Sequence, residues 1–138
     1  MTDAGLVLDT GCLLAYSEGT EAVGEQIAKV ADKGQRVIIP ALCLAAAYRQ
    51  VTSDGWPLLD IVGDLGQVMV TPVEHDMCAI LGGWSRTLGG MDLAQAAMEA
   101  ARAMTPIMTD RRELLGEVLP KEWPIIDLDQ RGCRQDHH

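Results

Sequence analysis

Three aspartates stand where short apolar runs end or small-residue stretches begin. Asp9 closes LVLD, Asp110 closes PIMTD, and Asp92 opens DLAQAAMEAARAM. In an open α/β sheet, ligands gather in the crevice beyond the carboxyl ends of the strands, so acids at those ends take priority. Three carboxylates sharing one crevice would repel each other, and the usual remedy is a divalent cation bound through oxygen. Taken singly, each residue also has an ordinary explanation. Asp92 at a helix start serves as a cap and complements the macrodipole. Asp110, followed by Arg111 and Arg112, suits a turn or an N-cap. Asp9 is harder to dismiss, because an acid ending a buried apolar strand must be satisfied by something.

Those positions need elements to hold them. Short runs rich in β-branched residues recur at 6–9 (LVLD), 36–40 (RVIIP), 67–71 (QVMVT), 106–110 (PIMTD) and 124–127 (PIID), and they read as strands. Helical spacing lies between them. Val23, Ile27 and Val30 mark a helix from Thr20 to Lys33, with Gly34 as its stop. Others run from Ala41 to Val51, from Trp56 to Leu65, and from Glu74 to Leu88, the last weakened by Gly82 and Gly83. The clearest spans Asp92 to Met104, with Leu93, Ala96, Ala97, Ala100 and Met104 as its buried stripe. Thr52–Gly55, Gly89–Gly90 and Arg111–Lys121 read as loops. Alternating strands and helices predict an α/β fold, a three-layer α/β/α arrangement around a mostly parallel sheet. Residues 1–130 form one expected domain, and 131–138 (RGCRQDHH) a polar, disordered tail.

Composition narrows the function. Eleven basic against twenty acidic residues give a net charge of −9, which argues against a broad grip on a phosphate backbone. Of Arg49, Arg86, Arg102, Arg111 and Arg112, only the last two are adjacent. Neither GxGxxG nor GxxxxGK[ST] occurs, which excludes nucleotide binding through those motifs. The four cysteines form no CxxC pair; three sit in apolar surroundings and read as core. Trp56, Trp84 and Trp123 are too dispersed for a base-stacking platform and read as core or interface anchors. No stretch approaches the ~20 apolar residues of a membrane span. The opening MTDAGLVLDTG lacks the basic flank of a signal peptide, so a cytoplasmic location is expected.

Read in order, LVLDTGCLLAY, VIIPALCLAAAYRQV, GGMDLAQAAMEAARAMTPIMTDRREL and PIID resemble the PIN-domain family, and in particular the VapC toxins of prokaryotic toxin–antitoxin pairs. The resemblance covers nearly the whole chain. It carries the family's opening strand acid and hydroxyl onto Asp9 and Thr10, its helix-start acid onto Asp92, and its later acids onto Asp110 and Glu113. It implies a PIN-like fold and a ribonuclease. Mg²⁺ or Mn²⁺ would be held by Asp9, Asp92 and Asp110, with Thr10 and Glu113 in support, for water attack on an RNA phosphodiester. It also implies an antitoxin-like protein partner and a homodimer. The chain departs from the family in one place: Ala46 stands where members carry a Glu, and its helix holds no Glu at all. That departure opens an alternative, a PIN fold without catalysis that acts by docking a protein partner. A receiver-like protein would carry an early acidic pair and a late Lys, and neither is present.

Overall fold

A computed structural model describes residues 3–128; the expected tail at 131–138, with Cys133, His137 and His138, lies outside them. Five strands form the sheet: β1 (Ala4–Leu8), β2 (Arg36–Pro40), β3 (Val68–Thr71), β4 (Ile107–Thr109) and β5 (Ile125–Asp127). Seven α-helices connect them: α1 (Thr10–Ser17), α2 (Glu21–Asp32), α3 (Ala41–Gln50), α4 (Trp56–Asp64), α5 (Cys78–Leu88), α6 (Met91–Ala103) and α7 (Arg112–Leu115). All strand pairs are parallel, in the order β3-β2-β1-β4-β5, and helices flank the sheet in three layers. Among the described residues no helix is long and apolar enough to cross a membrane.

The strand order reverses at one place. From β1 the chain first builds outward through β2 to β3, then returns to the other side of β1 for β4 and β5. Adjacent crossovers leaving in opposite directions open a crevice at the carboxyl ends of β1 and β4. Register fixes what stands there: Val7 pairs with Ile107 and Leu8 with Met108, so the next residues, Asp9 and Thr109, come side by side.

Helix α1 has no counterpart in the sequence reading. Its residues TGCLLAYS are apolar over most of the circumference, so they show no contrast between a wet and a dry face. Thr10, Cys12 and Leu13 are buried while Leu14, Ala15 and Tyr16 are half-buried. Two expected loops also hold short helical turns, a 3₁₀ turn at Ser53–Gly55 and α7. Despite Gly82 and Gly83, α5 runs unbroken to Gly89, whose φ of 83° gives it a left-handed stop.

The core joins Leu6, Val7 and Leu8 of β1 to Ile39 of β2, Ile107 and Met108 of β4, and the alanines of α6. Every residue from Leu93 to Ala100 is buried, so α6 is enclosed on all sides and not only along a stripe. It packs on β1, β2 and β4 with α3 and α5 beside it; Ala94, Ala96, Ala97 and Ala100 permit that close approach. Met104, expected in the stripe, is instead 82% exposed and ends the helix with φ 51°. Of the three cysteines read as core, Cys12 and Cys43 are buried and Cys78 is exposed.

Candidate functional site

Asp9 lies one residue beyond β1 and is the N-cap of α1. Its extended backbone lets the side chain turn back, and Oδ1 accepts from the Cys12 amide at 3.1 Å. Oδ2 accepts from the Thr109 hydroxyl at 2.5 Å, across the β1–β4 pairing. Thr109 Oγ1 accepts in turn from the Arg111 amide at 2.8 Å, which shapes the chain as it leaves β4. The carboxyl of Asp9 is only 1% exposed. Burial, partly offset by the Thr109 hydroxyl, pushes its pKa up to about 6, and the nearby charge of Asp110 adds to the rise.

Asp110 follows β4 and closes over Gly11. A Cβ at position 11 would collide with the carboxyl carbon and both oxygens of Asp110, so the first turn of α1 gives room to this acid by lacking a side chain. Asp92, in the first turn of α6, accepts from the Thr10 hydroxyl at 2.5 Å. The Cys43 thiol of α3 donates to the Asp92 backbone carbonyl at 3.2 Å, joining α3 to the same corner. Burial and the neighbouring Asp9 charge push that thiol well above its ordinary range, which leaves it protonated and inert.

Asp9, Thr10, Asp92 and Asp110 all line one cavity of about 240 Å³, together with Gly11, Gln50 and Arg111. The structure thus brings four of the five residues singled out from the sequence to one opening. Glu113 is elsewhere: it is exposed on α7 and lines the adjoining depression with Asp110, Arg111, Arg112 and Asp127. Arg112 is tied down there by donating to the Ile125 carbonyl at 3.0 Å. Ala46 is half-buried and does not line the cavity itself. It sits one turn before Gln50, which does, and three residues after Cys43.

Several contributors escaped the sequence reading. Gly11 had a signal in the small residue following Asp9 and Thr10, and Arg111 stood among the basic candidates without being assigned to this site, whereas Gln50 had no signal. Gln95 is the other omission. Its fully buried amide accepts from the Leu42 amide at 2.9 Å and donates to the Thr71 carbonyl at 3.0 Å and to Glu99 at 3.3 Å. One turn beyond Asp92, it ties α6 to the start of α3 and the end of β3.

As a donor set, the three carboxylates suit a hard cation such as Mg²⁺ or Mn²⁺, and the cradle over Gly11 holds one of them against the helix start. Among the described residues, no group of three or more His, Cys, Asp or Glu side chains is arranged to hold a metal ion jointly. The fit is therefore to a cation taken by one or two carboxylates and otherwise by water, the habit of Mg²⁺. No family model matches the chain, and no curated protein matches it.

Proposed function

We propose that this chain is a divalent-metal-dependent ribonuclease of the PIN type, related to the VapC toxins. The observation that carries the reading is the meeting of Asp9, Asp92 and Asp110 in one cavity at the point where the strand order reverses. Asp9 and Asp110 would hold the cation, with Asp92 orienting its water shell. Bound there, Mg²⁺ or Mn²⁺ supplies a more acidic water and charge neutralisation at phosphate oxygens. Thr10 fixes the Asp92 carboxylate by hydrogen bond, and Thr109 does the same for Asp9. Arg111 is the one cationic residue lining the cavity and has no ion pair among the described residues; it is free to meet a phosphate. An antitoxin-like partner and a homodimer accompany this reading. The half-exposed Trp56 and Ile61 of α4 offer apolar surface for either.

A second reading, a PIN fold that docks a partner without catalysis, is favoured by Ala46 and by the lack, among the described residues, of a joint three-ligand arrangement. One experiment separates the two. Wild type and Asp110→Asn are incubated with labelled single-stranded RNA in Mn²⁺ and in EDTA. The nuclease reading expects cleavage by the wild type in Mn²⁺ alone, lost by at least ~100-fold in the variant. No cleavage at any Mn²⁺ concentration, or equal cleavage by both proteins, leaves the docking reading in place.

A further inference from the structure

A second depression of about 490 Å³ adjoins the carboxylate cavity and shares Leu14 and Gln50 with it. That volume is within the ~300–1,000 Å³ of small-ligand pockets. Its wall comes from the end of α1 (Leu14, Ser17, Glu18) and from the turn after α3 (Thr52, Asp54).

The chemistry of the wall is lopsided. Ser17 spends its hydroxyl proton on the Leu14 carbonyl at 2.7 Å, so its oxygen faces a ligand as an acceptor. Glu18 and Asp54 are acceptors too, and neither has an ion pair among the described residues. Gln50 and Thr52 can donate or accept. Two carboxylates disfavour a phosphate at this end, whereas Arg111 lines the carboxylate cavity and not this depression. Leu14 gives an apolar surface between the two cavities.

We infer that this depression is a nucleobase subsite, which seats the base next to the phosphate held in the carboxylate cavity and selects bases that carry an exocyclic amine. The inference rests on the ribonuclease reading for the phosphate. The group covalently next to an RNA phosphate is a nucleoside, and continuity of the two cavities through Leu14 and Gln50 gives it a place. An acceptor-rich wall pairs with N–H donors of adenine, cytosine or guanine, as carboxylates do with the cytosine amine and Gln with adenine. Uracil carries no exocyclic amine: where cytosine has its N4 amine it presents O4, which meets oxygen with oxygen, and leaves only the ring N3–H as a donor. In single-stranded RNA those base edges are open for reading.

The test titrates AMP, CMP, GMP and UMP in Mg²⁺ into ¹⁵N-labelled wild type and Asp54→Asn, following the Gln50 side-chain amide and the Thr52 backbone amide by NMR. Cleavage of a mixed single-stranded RNA is run alongside. The subsite requires shifts at both resonances, UMP binding weaker than the other three by roughly tenfold, and loss of most of that difference in Asp54→Asn. RNA cleavage with no shift at Gln50 or Thr52, or with UMP equal to the rest, overturns the subsite and leaves the ribonuclease reading standing. Neither shifts nor cleavage overturns both. Stronger shifts with arginine amide than with any nucleotide overturn the subsite as well, and mark the depression as a seat for a cationic protein side chain.

Discussion

Asp9→Asn should stabilise the metal-free protein at neutral pH, and by an amount that depends on pH in a defined way. The folded-state pKa of Asp9 is about 6 against an ordinary 3.8, a rise of roughly 2 units, or about 3 kcal/mol. The sign follows from linkage. For an acid whose pKa is raised on folding, the penalty is absent below the unfolded pKa, grows between the two values, and is complete above about pH 6. Wild-type stability therefore falls through this window on Asp9's account as pH rises. About half the penalty stands at pH 5 and all of it at pH 8.

The amide removes that cost but fits the network less well. It can accept from the Cys12 amide, but its NH₂ would face Thr109 Oγ1, which already accepts from the Arg111 amide and must then find another acceptor for its own proton. One weakened hydrogen bond costs about 1 kcal/mol. The net gain is roughly 2 kcal/mol at pH 8, several degrees in Tm for a chain of this size, shrinking to well under 1 kcal/mol at pH 5. Urea and thermal melts of both proteins from pH 5 to 8 in EDTA measure this difference, with other titrating groups cancelling between them. With Mn²⁺ added the order should reverse, because binding to the native state stabilises only the protein that binds. A difference that does not change with pH, or a variant less stable than wild type at pH 8, would refute the argument that burial of an uncompensated carboxylate governs this site.

Three further outcomes are expected. Ala46→Glu places a carboxylate one turn before Gln50 at a half-buried position; calorimetry should find Mn²⁺ bound about tenfold tighter at a stability cost below ~1 kcal/mol, and a stable variant with unchanged affinity would contradict this. Gly11→Ala drives a methyl into the Asp110 carboxyl, for a loss of about 1–3 kcal/mol in urea melts; combining it with Asp110→Gly should recover most of that loss, so additive costs would rule out the clash. Gln95→Leu strands the Leu42 amide and the Thr71 carbonyl and should cost roughly 3 kcal/mol, with a loss below 1 kcal/mol showing that the pairings contribute little.

The elements and the identity of the acids are matters of local chemistry, and the sequence carried them. Strand runs such as RVIIP and PIMTD, and the small-residue helix after Asp92, follow from β-branching, spacing and capping within a few residues. Asp9, Asp92 and Asp110 were legible because each sits at a boundary between such runs. Helix α1 was not, because enclosure on most sides removes the polar face on which periodicity depends. The same enclosure hid how deeply α6 is buried, while Met104 falls beyond the last helical residue, where a left-handed backbone leaves its side chain exposed.

What gathers the acids is set by pairing between distant strands. Only the placement of β4 beside β1, a hundred residues apart, brings Thr109 to Asp9 and Asp110 over Gly11. Gln50 reaches the cavity because α3 packs against α1 and α6, and Glu113 falls into the neighbouring depression because α7 is a single turn lying beyond it. The sequence alone determined which residues have the chemistry. Register and helix packing, which depend on the whole core at once, decided which of them meet.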